Sequence, residues 1–200
     1  MKDMLFLGVM VIDLVIPFVI AIPYKGYSHT NQVMSVLGCE NSPWGIIYNL
    51  WMIASGVIFP FFGYRIFLYY ENINFGVAIT IFLLLSIYGF GDEIISGLFP
   101  LNEKKEDVTV SSKTHRIGSA IGFVALQFSN LFLAILGFNS GDIVLGWISF
   151  IFFILSLISF IFFAIGNKPK FKDSLFSLGG LWQRVLCLLM YIPFIVWIIM

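Results

Sequence analysis

Two adjacent carboxyls, Asp92 and Glu93, stand inside an apolar run from Ile79 to Pro100. The chain is 60% hydrophobic and only 11% charged, so this pair is the first place to look for acid–base chemistry. In lipid an ionised carboxylate costs roughly 2.5–3.5 kcal/mol on insertion scales, so each group needs a cation, water or a proton. A carboxyl in that setting can act as a general base. It can also lock two helices together as half of an ion pair. The cation within reach is Arg184, which is permanently charged and can fork to a carboxylate or a phosphate. Gln183 lies beside it. Asn49, His115 and Asp13 are further polar residues in or beside apolar segments.

The elements that must position these residues are membrane helices. Mean hydropathy is +0.98, and 23 of 200 residues are Phe. A soluble domain would carry about 25% charged residues. The expected fold is all-α: one polytopic domain over residues 1–200, a bundle of six transmembrane helices. Spans of about 20 apolar residues fall at about 4–23, 44–70, 75–98, 117–138, 143–165 and 178–200. The first segment is read as retained rather than cleaved, because no small-x-small site follows it and Asp13 interrupts it. The runs are continuous, without the alternation of a transmembrane barrel. The connections are short, so chemistry or binding must occur in the bundle or at its rims.

Helical rise converts position into depth. Asp92 and Glu93 come out about 8–9 Å below the rim opposite the N-terminus, and Arg184 about 9 Å below the same rim. Asn49 and Gln183 fall at nearly that level, and His115 opens helix four at the rim itself. The convergence predicts a polar cavity lined by Asn49, Asp92, Glu93, His115, Gln183 and Arg184, or a structural ion pair between Arg184 and one carboxyl. Asp13 lies deeper, near the midplane, as a candidate proton site: it can be protonated, hydrogen-bonded to Gln127 or Asn130 as expected partners, or reached by water from the Arg184 level.

Charge places the chain further. The rim nearest Arg184 would hold Lys25, Lys104, Lys105, Lys113, Arg116, Lys168, Lys170 and Lys172, diluted by Glu103, Glu106 and Asp107; the other holds Lys2 and Arg65. Counting Lys and Arg makes the richer side cytoplasmic and puts both termini outside. The net charge of zero gives no field that would attract nucleic acid. Membrane lipids are the expected partners; the count says nothing of oligomeric state. Cys39 and Cys187 form no metal cluster, and His29 and His115 lack the spacing of a zinc motif. No metal or cofactor is expected. Gly118 and Gly122 permit close helix contact. Trp44, Trp147, Trp182 and Trp197 sit near helix ends as expected interfacial anchors.

Short motifs recur along the chain: Ser35 to Gly38, Ser42-Pro43 leading to Tyr48-Asn49 and Gly56, Gly97 to Pro100 before a polar loop and His115, and Gly180 to Arg184. In this order they resemble the bacterial and archaeal multipass membrane family known as domain of unknown function 998. The resemblance implies a six-helix membrane fold, with a prokaryotic plasma membrane as the setting, and supplies no reaction. The leading reading is therefore a non-enzymatic membrane protein that binds a lipid headgroup or small polar ligand, with no catalytic residue assigned. The alternatives are an intramembrane lipid hydrolase using Asp92 or Glu93 with His115, and a proton-coupled transporter using Asp13.

Overall fold

The computed structural model describes residues 4–102, 108–166, 168–171 and 174–200. Lys2, Lys104, Lys105 and Lys172 of the charge count, with Glu103, Glu106 and Asp107, lie outside the described residues. Among the described residues the regular structure is all helical.

Among the described residues five helical segments, not the expected six, are long and apolar enough to cross a membrane. They are α1 (Met4–Ala21), the long segment Gly45–Leu98, α4 (Val110–Ser140), α5 (Ile143–Gly166) and α6 (Gly179–Ile199). The long segment comprises α2 (Gly45–Tyr88), a π-helical stretch (Gly89–Ile95) and the short α3 (Ser96–Leu98). The count falls because the chain reverses at the expected turn, 71–74, while almost no residue leaves helical geometry, so the two arms form one continuous helical segment. Only Asn74 leaves it (φ −154°, ψ 91°), and its side-chain oxygen accepts from Val77 N at 3.1 Å. An Asn oxygen that accepts from the amide three residues on caps the following arm and restarts the helix at once. The two arms, 45–73 and 75–98, run back along one another: Gly63 lies against Phe82, Gly56 against Gly89, and Asn49 against Gly97.

Helix α4 begins at Val110 rather than Ile117. Thr109 and Ser112 form a reciprocal capping box, Ser112 N to Thr109 Oγ1 at 3.2 Å and Thr109 N to Ser112 Oγ at 3.0 Å. Such a box satisfies two orphan amides and fixes the start, so His115 sits inside the helix, not at its mouth. The turn to α5 uses Gly141 at φ 81°, a left-handed conformation that favours glycine. Asp142 then caps α5 through Leu145 N at 3.0 Å.

Around the bundle α2 packs on α4, α4 on α5 and α5 on α6, while α1 lies against both α2 and α6. Val11, Ile12 and Val15 of α1 and Val144, Ile151 and Ile154 of α5 are exposed, which is the arrangement lipid demands of an outer face. Near the end of α1 that bears the N-terminus the interior is aromatic: Phe62 meets Phe6, Phe194 and Trp197 with ring centroids 4.8, 5.6 and 5.9 Å apart. Trp197 is buried, with Nε1 donating to Tyr70 OH at 3.1 Å. It is a core residue rather than an interfacial anchor.

Candidate functional site

The polar residues concentrate where the π-helical stretch passes between α2 and α4. π-helical turns are rare and often mark functional sites. This one carries both carboxyls and is packed through glycine. A Cβ on Gly91 would stand 2.7 Å from the Gly118 carbonyl oxygen, and one on Gly122 would stand 2.6 Å from the Asp92 Cβ. The small-residue pattern in α4 thus serves close contact inside the bundle. Asp92 and Glu93 diverge from the stretch. Asp92 Oδ1 accepts from Ser119 Oγ of α4 at 2.5 Å. Glu93 Oε2 accepts from Ser55 Oγ at 2.9 Å, and Oε1 accepts from Tyr88 OH at 2.7 Å.

From Glu93 a continuous chain of oxygens crosses the bundle. Tyr88 OH lies 2.5 Å from Tyr191 OH, and Tyr191 OH lies 2.5 Å from Asp13 Oδ2. The remaining oxygen of Asp13 accepts from Trp51 Nε1 at 2.9 Å. Tyr88 is 2% and Tyr191 0% exposed, so the chain's centre is sealed. A proton count follows from the donor inventory. The path Asp13–Tyr191–Tyr88–Glu93 contains three oxygen–oxygen contacts, each needing one proton. Two phenols supply two. The third belongs to a carboxyl, Asp13 or Glu93. Moving that proton from one end to the other only reverses the three bonds. The partners expected for Asp13 are engaged elsewhere: Gln127 Nε2 donates to Phe153 O and Asn130 Nδ2 to Met190 O.

Beside this chain lies a cavity of about 20 Å³ lined by Asp13, Asp92, Glu93, Ser35, Gln183 and Cys187, among others. Roughly 10–15 Å³ accommodates one water, so the space is water-sized. Its cover is the connection between α1 and α2, which contains a 3-10 turn (Met34–Gly38). Met34 N donates to Gln183 Oε1 at 2.7 Å. Asn49, at the foot of the cover, donates to Gly38 O at 2.9 Å.

Arg184 does not meet the carboxyls. Nη1 donates to His29 O at 2.7 Å and to Gly180 O at 2.9 Å; Nη2 donates to Tyr27 OH at 2.8 Å. Nη2 also stands 3.2 Å from His29 Nδ1. The guanidinium lies 5.6 Å from the Phe18 ring centre and 5.8 Å from that of Tyr27. The expected ion pair is replaced by a clamp, because six residues into α6 the side chain turns outward to the covering loop. Packing of the imidazole, then the charge of Arg184, hold the His29 pKa below its ordinary value.

His115 stands apart from the cavity. Its Nδ1 faces Phe99 O at 3.0 Å and Ser96 O at 3.2 Å, two carbonyls at the end of α3. Two acceptors fix the ring proton on Nδ1 and leave Nε2 buried and unpartnered. Of the six residues expected to line one cavity, Asp92, Glu93 and Gln183 do so, joined by Asp13. Asn49, His115 and Arg184 each bind backbone carbonyls instead. Among the described residues no three His, Cys, Asp or Glu side chains converge as metal ligands. Tyr88, Tyr191, Trp51, Ser55 and Ser119 were not expected at the site. A signal for the tyrosines was present: both stand in helix interiors, away from the interfacial belts where Tyr is enriched.

A model of the family described as "Protein of unknown function (DUF998)" matches residues 7–200. The chain belongs to that family. The match spans α1 to α6, so the DUF998 unit contains the whole carboxyl–tyrosine chain, its cavity and the covering loop. No curated protein and no solved structure matches the chain.

Proposed function

We propose that this DUF998 protein is a proton-coupled membrane transporter in which the Asp13–Tyr191–Tyr88–Glu93 chain stores and passes one proton. The observation that carries the reading is the count of three short contacts against two phenolic protons. Transfer is balanced within the chain. Glu93 gives its proton to the Tyr88 oxygen, Tyr88 gives its own to Tyr191, and Tyr191 gives its own to Asp13. A carboxylate is left at Glu93 and a neutral acid at Asp13. The chain ties α1, α6 and the 75–98 arm, and Trp51 and Ser55 of the 45–73 arm bind its two carboxyls, so the proton's position biases contacts among helices that must move against one another in transport. Ionisable groups inside a membrane bundle commonly mark such relays.

In this reading the hairpin within 45–98 crosses the bilayer twice, giving six crossings. The covered face is cytoplasmic by its Lys and Arg content, and the bilayer is a prokaryotic plasma membrane. Ligand binding enters this proposal only in a narrowed form. In this closed arrangement the cavity takes a water-sized occupant, so a solute would need the cover to lift.

Two measurements test the reading. Infrared spectra at neutral pH should show a carboxylic-acid C=O band that falls in Tyr191→Phe, since that variant removes the need for the third proton. Acid-driven solute uptake should be lost in Asp13→Asn. A parent protein with no carboxylic-acid band at neutral pH would sink the proposal.

A further inference from the structure

We infer that the connection between α1 and α2 is a pH-operated lid over the carboxyl cavity, latched by Arg184 and released when His29 takes up a proton. Its benefit rests on the proton-coupled reading, but its mechanics do not. The lid places Met34 and Ser35 on the cavity. Adjacent residues of α6 hold it: Gln183 binds Met34 N at 2.7 Å, and Arg184 binds His29 O and Tyr27 OH at 2.7 and 2.8 Å. The first turn of α6 adds Leu181 N to Thr30 O at 2.9 Å.

His29 is the group in this latch that titrates nearest neutrality. Phe18 of α1 stacks on its ring with centroids 5.0 Å apart, and Tyr27 meets it edge-on at 5.2 Å. From α6 it faces Arg184, whose N–H points at Nδ1 at 3.2 Å. That nitrogen must therefore be a lone pair, and the ring proton sits on Nε2. Protonation converts Nδ1 into a donor facing a donor and sets an imidazolium against a guanidinium. One hydrogen bond becomes a like-charge repulsion, and among the described residues the ring's partners from α1, its own loop and α6 are Phe18, Tyr27 and Arg184, with no carboxylate to offset it. The sign follows from linkage. The latched form binds the His29 proton less readily than the open form, whose value lies near 6.5. Latching is favoured above that pH and weakens as pH falls through it. Acid on this side thus uncovers Asp92, Glu93 and Asp13 when protons are available to them.

Cys187 lines the cavity and reports on the lid. In the Cys39→Ser protein it is the sole thiol, since the chain has two cysteines. The rate of labelling by a water-soluble maleimide is measured at about pH 7.5 and about pH 5.5, either side of an ordinary histidine. Each rate is divided by that of the unfolded protein at the same pH, which cancels the change in thiolate fraction. The normalised rate should rise on acidification by up to about ten-fold, the most that linkage allows between these pH values for a histidine of ordinary pKa in the open form. In His29→Gln, which keeps an acceptor for Arg184 but cannot take the proton, it should stay low at both values. In His29→Arg, a fixed cation, it should be high at both. A parent rate that does not rise, or an equal rise in His29→Gln, overturns the lid. The measurement is repeated in Glu93→Gln. A His29-dependent rise there, with no carboxylic-acid band in the parent, keeps the lid and discards the proton chain. The band without the rise does the reverse.

Discussion

The carboxyl chain and the Arg184 clamp are opposite solutions to one problem. Both bring ionisable groups into a setting poor in water, and they lie near one another through Gln183. Yet the acids recruit hydroxyls and an indole, Ser55, Ser119, Tyr88, Tyr191 and Trp51. The guanidinium recruits carbonyls and ring faces. A buried ion pair would have held both kinds of group in one fixed state, and breaking one leaves an uncompensated charge. Kept apart, the acids can exchange a proton and the cation can hold a loop. The separation is what leaves each region able to change state.

The comparison can be broken first at the clamp. Arg184→Ala leaves several half-buried acceptors without a donor and should cost about 2 kcal/mol in thermal or denaturant unfolding. Arg184→Lys should recover only part of that, because an ammonium cannot fork to Tyr27 and the His29 carbonyl together. Full stability in Arg184→Ala would mean that the clamp is ornamental. The chain should yield less per residue, since each carboxyl keeps a second partner. Tyr191→Phe should cost about 1–2 kcal/mol. Combined with Tyr88→Phe, it should show a coupling above about 0.5 kcal/mol in a double-mutant cycle; strict additivity would deny that the two hydroxyls form one unit. Ser119→Ala removes the Ser119 Oγ bond to Asp92 Oδ1 and should cost about 1 kcal/mol, with the Tyr191-sensitive infrared band unchanged because Asp92 lies off the chain. The smallest effect is on pH dependence. Because the folded-state His29 pKa is lowered, the parent should lose stability relative to His29→Gln as pH falls below about 6.5. A parallel pair of pH–stability curves would separate His29 from the clamp.

Much of the fold could be read directly. Long apolar runs with almost no charge mark membrane helices, and their ends at Leu98 and near Leu178 fall within a residue of the observed ones. The start of α4 was missed because Ser111, Ser112 and Thr114 resemble loop residues until Thr109 and Ser112 are seen to cap one another. The break at Asn74 was placed correctly but its size was overestimated, since one capping residue suffices. At the site, depth from helical rise brought Asp92, Glu93 and Gln183 to one level, and these do share a cavity. Depth carries no azimuth. Arg184 at the same level points to the loop, and Asn49 points to Gly38.

By itself the sequence determined the solvent, the helical class and the scarcity of charge, because these follow from composition and run length. It also determined that Asp92 and Glu93 would need something other than lipid beside them. Only the tertiary structure decided what that was. Which hydroxyl meets which carboxyl depends on helix rotation, on the π-helical stretch that turns Asp92 and Glu93 to different neighbours, and on the glycine contacts that set α2 and α4 close. Those are properties of packed helices, and a single segment read alone does not contain them.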